Sequence, residues 1–216
     1  MSGHLKAEGK VSRIRTPKGE LELRSLCPPG SFCGLVLDSG LGTFPHYSSM
    51  IQKLEMFDRI ASSEDGNVVL AIAEGKRVVA YACCYYPAPG ERWAGLGKLM
   101  YEMGTLEVSR NFRGLGIAQR LVAMAMDRGD FYEEKIAYMN GFSWHWDLEG
   151  TGLTLAQYRE LMISLMKPYG FKEYPTNEPN IALRQENVFL ARIGSKVSQR
   201  DIKRFHKLLF GIVDPQ

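Results

Sequence analysis

Residues 20–26 alternate between apolar and polar side chains, and several other short stretches are runs of β-branched and other apolar residues; both patterns predict β-strands. The predicted strands cover residues 20–26, 67–73, 78–86, 99–108, 136–140, 171–174 and 188–193. The second and third are joined through Gly75 and Lys76, which favours a hairpin. Pro87 and Pro89 end the third strand, because proline cannot donate to a strand ladder. We therefore expect three consecutive antiparallel strands in the N-terminal half.

Helical spacing of apolar residues marks four other stretches. The predicted helices cover residues 47–61, the residues after Gly116, the residues after Thr154, and residues 198–210. Two of the starts carry capping residues, because Thr154 is followed by Gln157 and Ser198 by Asp201, each three positions later. Strands and helices in this order predict an α/β (α+β) fold.

Length and composition indicate an ordinary globular protein. A chain of 216 residues suits one domain and can bury a sizeable core. We expect residues 1–18 to form a polar lead-in and residues 19–216 to form a single domain that includes the helix at 198–210. The formal charge of +3 is too small to indicate nucleic acid or an anionic membrane as a partner.

The residues also favour a cytoplasmic location. The first ten residues are polar and lack the apolar block of a secretory signal, and the longest apolar run, near 78–86, is too short to span a bilayer. The four cysteines have no metal-ligand spacing and are interpreted as reduced core thiols. We therefore expect no metal and no membrane association.

Residues 106–121, which read LEVSRNFRGLGIAQRL, carry the clearest chemical signal. The pattern predicts a strand, a turn broken by Gly114 and Gly116, and then a helix whose N-terminal N–H groups and dipole face a ligand. A diphosphate would fit this cradle. A dinucleotide fingerprint would need Gly or Ala at Gln119, and no Gly-Lys-Ser/Thr sequence supports a P-loop. The alternative is a tight strand-to-helix connection without a ligand.

Read as Arg113-x-x-Gly116-x-Ala118, the cradle resembles the pyrophosphate loop of the GCN5-related N-acetyltransferase (GNAT) family. Four longer segments resemble the acetoin-utilisation branch of that family. They are PAPGERW at 87–93, YEMGTLEVSRNFRGLG at 101–116, HWDLEGTGL at 145–153 and NVFLARIG at 187–194. The resemblance covers most of residues 67–210. It implies a mixed central sheet with an antiparallel N-terminal half, splayed at the acyl-CoA site, flanked by helices and extended by a C-terminal helix.

The resemblance also implies acetyl-CoA as the acyl donor and CoA as its product. The residues that would hold the cofactor are Leu106, Val108, Arg113, Gly114, Leu115, Gly116, Ile117, Ala118 and Asn140. Backbone N–H groups near Leu106 to Val108 would stabilise the oxyanion and pair with the pantetheine arm. Asn140 would lie on the other side of the cofactor, and its alternative role is that of a strand-end cap.

Two carboxylates precede the cradle on the same predicted strand. The resemblance places a catalytic glutamate there, and both Glu102 and Glu107 qualify. Two residues five positions apart on a regular strand point to opposite faces of the sheet. A β-bulge between them would put both on the same face, so strand alternation does not decide which glutamate is catalytic. The tyrosine that the family commonly uses as general acid is replaced by Met166, and Tyr158 is an alternative whose apolar neighbours favour core packing.

Residues 141–153 leave the strand after the cradle and are unusually aromatic. His145 and Asp147 are candidate substrate-binding residues, whereas Trp144 and Trp146 are also compatible with a hydrophobic lid. The acetoin-utilisation resemblance implies a protein lysine N-acetyltransferase that acetylates and inactivates acetyl-CoA synthetase. The alternatives are an N-acetyltransferase for a small amine and a non-catalytic acyl-CoA-binding regulator.

Overall fold

The computed structural model describes residues 8–212. Within them the chain divides into two compact units. The first unit comprises residues 8–41, 51–83 and 105–128, and the second comprises residues 42–50, 84–104 and 129–212. The expectation that residues 19–216 form a single domain stays a prediction.

The secondary structure follows the alternation of strands and helices expected from the sequence. In the described residues the strands are β1 (Val11–Thr16), β2 (Gly19–Arg24), β3 (Val36–Leu37), β4 (Thr43–Phe44), β5 (Tyr47–Ser48), β6 (Asn67–Ala73), β7 (Arg77–Tyr85), β8 (Met100–Val108), β9 (Ile136–Gly141), β10 (Lys172–Glu173) and β11 (Val188–Ile193). The α-helices there are α1 (Glu55–Ser62), α2 (Ile117–Met126), α3 (Leu148–Thr151), α4 (Leu155–Met166), α5 (Pro179–Ala182) and α6 (Gln199–Leu208). Short 3₁₀ turns occupy Arg92–Leu99, Arg110–Phe112, Gly129–Glu134, Ser143–His145 and Lys167–Tyr169.

In the first unit, β1 and β2 form an antiparallel hairpin and β2 pairs antiparallel with β6. β3 adds to β7 in parallel, with Val36 opposite Arg77. Every residue of β6 is buried, which explains why its continuous apolar run predicted its bounds correctly.

The strand β1 lies inside the stretch expected to be a polar lead-in. Residues 1–7 of that stretch lie outside the described residues, but Val11–Thr16 is a strand whose register runs from Val11 opposite Arg24 to Thr16 opposite Gly19. Most of its side chains are exposed, so the strand is held by backbone pairing and leaves little hydrophobic pattern in the sequence.

The helix expected over residues 47–61 is shorter than predicted. Tyr47–Ser48 is a strand that pairs with Thr43–Phe44, and the helix occupies Glu55–Ser62. Within the first unit, Phe57 of this helix is buried and packs edge-on against Tyr81, with ring centroids 5.3 Å apart. The prediction of a helix in this stretch is therefore correct, but its start is misplaced, and Phe57 is the one buried residue of the helix.

In the second unit, β8 pairs in parallel with β9 and β9 pairs antiparallel with β11, which pairs antiparallel with β10. The β8 to β9 register runs only from Met100 opposite Ile136 to Glu102 opposite Tyr138. The pairing of β8 with β9 therefore ends after three residues, as expected if the two strands separate at the acyl-CoA site. The core of this unit includes Trp93 stacked on Phe189, with ring centroids 4.2 Å apart.

Both predicted helix caps are confirmed. Thr154 and Gln157 form a reciprocal capping box at the start of α4. The Ser198 hydroxyl accepts a hydrogen bond of 3.1 Å from the Asp201 N–H at the start of α6. The prediction of core thiols holds for Cys27, Cys83 and Cys84, which are buried, but is wrong for Cys33, which is exposed.

The predicted fold class is confirmed as a mixed α/β arrangement with mostly antiparallel strand pairs and flanking helices. None of the helices in residues 8–212 is long and apolar enough to cross a membrane.

Candidate active site

The two glycines of the predicted cradle adopt the backbone conformation that requires glycine. Gly114 has φ 74° and Gly116 has φ 70°, both in the left-handed region. A β-carbon on Gly114 would meet nothing within 4 Å, and one on Gly116 would meet only Gln119 Oε1 at 4.0 Å. The space beside both glycines is therefore open, which fits a ligand that approaches the backbone closely.

The helix α2 begins directly after the cradle. Its N-cap is Gly116, which provides no side-chain cap, and its first turn contains no acidic residue. The positive end of the helix dipole is thus not neutralised by its own first turn. Ile117 is buried and anchors this end in the first unit, whereas Leu115 and Ala118 are half-buried. This arrangement fits the diphosphate of acetyl-CoA.

Arg113 ties the cradle back to the end of β8. Its Nε donates a hydrogen bond of 3.2 Å to the Val108 carbonyl oxygen, which folds the intervening turn into a compact loop. Leu106 and Val108, expected to offer backbone groups to the acyl end of the cofactor, are half-buried residues of β8.

Sequence reasoning missed a buried carboxylate that holds this turn. The Oδ1 atom of Asp38 accepts hydrogen bonds from the Ser109 hydroxyl, from Asn111 Nδ2 at 2.8 Å and from the Gly40 N–H at 2.9 Å. Arg77 lies 3.5 Å from its Oδ2 atom. We call these five residues the Asp38 buckle. Burial raises the pKa of this carboxyl, but the hydrogen bonds and Arg77 outweigh it and hold the pKa below its usual value.

Gly40 lies directly against the backbone of the turn at 109–111. Its carbonyl oxygen accepts a hydrogen bond of 3.1 Å from the Arg110 N–H. A β-carbon on Gly40 would lie 2.9 Å from the backbone nitrogen atoms of both Arg110 and Asn111, so a larger residue would push the turn away. The Asp38-x-Gly40 turn signature was the one local signal for this contact.

Of the two candidate catalytic glutamates, Glu102 lies in a polar cluster of the second unit. It is 8% exposed and accepts hydrogen bonds from the Tyr138 hydroxyl at 3.2 Å and from Asn140 Nδ2 at 3.1 Å. Burial, together with the charge of Glu91, raises its pKa to about 7, although both hydrogen bonds oppose the shift. A carboxyl with this pKa is suited to accept a proton near neutral pH.

The partners of Glu102 are themselves constrained. Tyr138 is fully buried, and burial together with the negative charge of Glu102 raises the pKa of its phenol. Asn140 is half-buried, and its Oδ1 atom is shielded from solvent and accepts no hydrogen bond within the described residues. Asn140 therefore does not act as a simple turn cap, and its expected contact with the cofactor stays a prediction.

The other candidate, Glu107, lies in the first unit and is equally buried. It accepts a hydrogen bond from the Tyr81 hydroxyl, whose oxygen in turn accepts a bond of 3.1 Å from the Ile51 N–H. Glu107 is thus part of a chain of hydrogen bonds that joins β7, β8 and the residues before α1. Neither glutamate is the exposed strand carboxylate that chance would favour.

The aromatic segment at 141–153, in the second unit, has one buried and one exposed tryptophan. Trp146 is 6% exposed and stacks on Tyr158, with ring centroids 5.0 Å apart, whereas Trp144 is 38% exposed and stacks on Phe142. Tyr158 is therefore packed against the buried tryptophan of the segment. The hydrophobic-lid interpretation fits Trp146 and does not fit Trp144.

The two predicted substrate-binding residues differ in exposure. His145 is exposed beside Trp144, whereas Asp147 is 1% exposed and accepts a hydrogen bond of 3.0 Å from the Gly150 N–H as the N-cap of α3. Asp147 thus has a structural task, and substrate contact by either residue stays a prediction. Met166 is fully buried and apolar, so it cannot act as an acid. The described residues contain no group of three or more His, Cys, Asp or Glu side chains able to hold a metal ion.

The mixed sheet, and the strand, glycine turn and helix of the cradle, are the arrangement that the sequence predicts for an acyl-CoA-dependent transferase. The model of the Acetyltransferase (GNAT) family matches residues 37–147, a stretch that holds the Asp38 buckle, the cradle and Glu102, and the chain belongs to this family. It is an N-acetyltransferase that uses acetyl-CoA.

Individual relatives point to one branch of the family. The acetoin utilization protein AcuA of Bacillus subtilis is 30% identical over 92% of this chain and 93% of its own length. AcuA of Bacillus licheniformis is 34% identical over 72% of this chain and 74% of its own length. The crystal structure of an acetoin utilization protein from Exiguobacterium sibiricum superposes with a TM-score of 0.84 at 28% identity and covers 94% of both chains.

The cradle predicts a specific effect of adding a side chain at Gly116. Gly116→Val should weaken CoA binding on the order of tenfold or more, about 1.4 kcal/mol, because the side chain fills the open space and disfavours a positive φ. Gly75→Val is the matched control, since Gly75 has φ 72° and equal open space in the β6 to β7 turn. Isothermal calorimetry on variants with intact circular dichroism tests this, and equal CoA affinity in the two variants would contradict it.

The Asp38 buckle predicts coupled losses of stability and affinity. Asp38→Asn keeps the shape but removes the charge that faces Arg77, so we expect a loss of roughly 1 to 3 kcal/mol in unfolding free energy and weaker CoA binding. Glu74→Gln is the control, because Glu74 also pairs with Arg77 but its side chain is 68% exposed.

The effect on stability should depend on pH with a defined sign. The folded pKa of Asp38 lies below its ordinary value of 3.8, so its contribution is complete above that value and is lost as the pH falls through the folded pKa. Denaturant unfolding should show the gap between wild type and Asp38→Asn closing in acid. A constant gap would show that charge is not the cause.

Proposed function

We propose that this chain transfers the acetyl group of acetyl-CoA to a lysine side chain of acetyl-CoA synthetase in the cytoplasm and thereby inactivates that enzyme. The observation that carries the chemistry is Glu102, a buried carboxylate whose pKa is raised to about 7. The choice of acceptor is supported by the acetoin-utilisation segments of the sequence and by the likeness to proteins named AcuA.

An acyl acceptor must lose a proton before it can attack a thioester. A free lysine amine has a pKa of about 10.4, so roughly one molecule in two thousand is neutral at pH 7, equivalent to about 4.6 kcal/mol. Glu102 would accept this proton directly or through water. Tyr138 and Asn140 hold its two carboxylate oxygens in place, so the base is oriented before the acceptor arrives.

Other residues would bind the diphosphate and stabilise the oxyanion. The N–H groups of the cradle, from Gly114 to Ala118, would hold the diphosphate, and the Asp38 buckle would keep that loop in its binding conformation. A backbone N–H between Leu106 and Val108 would stabilise the oxyanion. These residues would serve each step except protonation of the departing thiolate.

The exposed side of the aromatic segment is the candidate surface for the acceptor protein. Trp144 and His145 are both exposed, and the Arg184 guanidinium lies 5.9 Å from the Trp144 ring centroid. Exposed aromatic and arginine side chains are typical of protein-binding surfaces. This favours a protein acceptor over a small amine, which would need an enclosed pocket.

The proposed acceptor can be tested directly. Acetyl-CoA synthetase incubated with this protein and acetyl-CoA should gain one acetyl group on a lysine, found by peptide mass spectrometry, and should lose activity in step with the modification. Reactions without acetyl-CoA, and with Gly116→Val, are the controls. Transfer to a small amine but not to the synthetase would reassign the acceptor, and CoA binding without any transfer would favour a regulator.

The role of Glu102 predicts a characteristic pH dependence. Because its pKa is about 7, the wild-type rate should fall as the pH drops below 7 and the carboxylate becomes protonated. Glu102→Gln should remove this acidic limb and lower the rate roughly a hundredfold or more at neutral pH, and less at high pH where more of the amine is neutral.

Glu107→Gln is the matched control, since Glu107 is a glutamate of the same strand with the same exposure of 8%. It should alter the rate less than Glu102→Gln does and should leave the acidic limb in place. If Glu107→Gln instead abolishes the limb, the assignment of the base must be reversed.

A further inference from the structure

Trp144 is an exposed side chain of the second unit that rests on a packed aromatic ring. Its own ring stacks on that of Phe142, with centroids 4.9 Å apart and planes 7° apart. Phe142 in turn packs against the buried core of the second unit. An indole supported in this way offers a rigid contact area to a partner.

One buried amide fixes this segment to the turn that carries Arg184. Asn187 is 5% exposed, and its Oδ1 atom accepts a hydrogen bond of 2.8 Å from the Ser143 N–H. Its Nδ2 atom donates to the Asn180 carbonyl oxygen at 2.7 Å, and its backbone N–H donates to the Arg184 carbonyl oxygen at 3.1 Å. These three hydrogen bonds hold the backbone beside Trp144 and the backbone of Arg184 in one arrangement.

The Arg184 guanidinium lies against the Trp144 ring, 5.9 Å from its centroid. Contact with an aromatic ring leaves the N–H groups of a guanidinium able to donate to a carboxylate. Arg184 is exposed, and no carboxylate of the described residues, that of Glu186 in the same turn included, forms an ion pair with it. The positive charge of Arg184 is therefore available to a partner.

His145 adds little charge to this surface near neutral pH. Its ring packs edge-on against Phe142 and Trp144, and desolvation lowers its pKa from the ordinary value of 6.5. Arg184 is thus the cation of this surface at pH 7. An oriented guanidinium beside an apolar ring is complementary to an acidic side chain.

Arg184 is also within reach of an extended peptide that places a lysine at the proposed base. Asn140, which donates a hydrogen bond to Glu102, is four residues before Trp144 in the same unit. Four residues span at most about 14 Å even when fully extended. A peptide with its lysine at Glu102 would therefore reach Arg184 within about five residues.

We propose that the Arg184 guanidinium, at the Trp144 ring, binds an acidic side chain of the acceptor protein that lies within about five residues of the acceptor lysine. This assignment rests on the proposed acetyl transfer to lysine and names the chemistry that selects one lysine among many. A carboxylate accepts two parallel hydrogen bonds from a guanidinium, which gives direction as well as affinity.

The test uses peptides that carry a single lysine and one Glu, placed in turn at each position up to five residues before or after the lysine. Each peptide is paired with one that has Gln in place of Glu. With the wild type, the best-placed Glu should raise kcat/KM roughly fivefold or more over its Gln partner, mainly through KM. Arg184→Gln should bring this ratio to about one, and Arg184→Glu should invert it.

Arg200→Gln is the matched control, because it removes the same charge from an exposed position on α6 of the same unit. It should keep the wild-type preference for Glu. Because the preference is a ratio between two substrates, it does not depend on the fraction of active protein in each preparation.

Poly-L-lysine and acetyl-CoA synthetase serve as further acceptors that separate the two proposals. A wild type that acetylates neither of them and none of the peptides would overturn the proposed function and this inference together. Transfer to either one, with no preference for Glu among the peptides, would overturn the assignment of Arg184 alone. An undiminished preference in Arg184→Gln, or an equal loss in Arg200→Gln, would also overturn it.

Discussion

The carboxylate of Asp38 holds the turn that leads into the proposed cofactor cradle. One of its oxygens accepts hydrogen bonds from Gly40 in its own turn and from Ser109 and Asn111, and so joins two backbone segments of the first unit just before the glycine loop. Glycine-rich loops lose much conformational entropy on ordering, so Gly114 and Gly116 need a rigid support. Burial of this carboxylate is tolerated because its donors and Arg77 compensate for lost hydration.

Glu102 is also a buried carboxyl, but its surroundings raise its pKa, whereas those of Asp38 lower it. Its donors, Tyr138 and Asn140, are neutral, and the charge of Glu91 adds to the effect of burial, so its pKa rises to about 7. The surroundings thus keep Asp38 charged and leave Glu102 able to exchange a proton near neutral pH. Pairs of carboxyls with pKa values moved in opposite directions commonly separate structural from reactive tasks. The raised pKa is a cost to stability at neutral pH that a purely structural carboxylate would not carry.

Elements whose signal is local were predicted closely. The buried strands Asn67–Ala73 and Val188–Ile193 have the predicted bounds, and the caps at Thr154 and Ser198 are present, because apolar runs and capping residues act within a few positions. The strand Val11–Thr16 was missed because its stability comes from pairing with β2 and not from buried side chains. The start of α1 was misplaced because Tyr47–Ser48 pairs with Thr43–Phe44, a contact that helical spacing does not reveal.

The sequence by itself determined the strand, loop and helix of the cradle, the need for glycine at its two left-handed positions, and the family to which the chain belongs. Only the tertiary structure decided which groups surround each glutamate, that Asp38 holds the turn before the cradle, and that Asn187 joins the segment of Trp144 to the turn of Arg184. The reason is sequence separation: Ser109 lies 71 residues from Asp38, and Tyr138 lies 36 residues from Glu102. Such contacts form only when distant segments pack, and packing also sets the burial that moves a pKa.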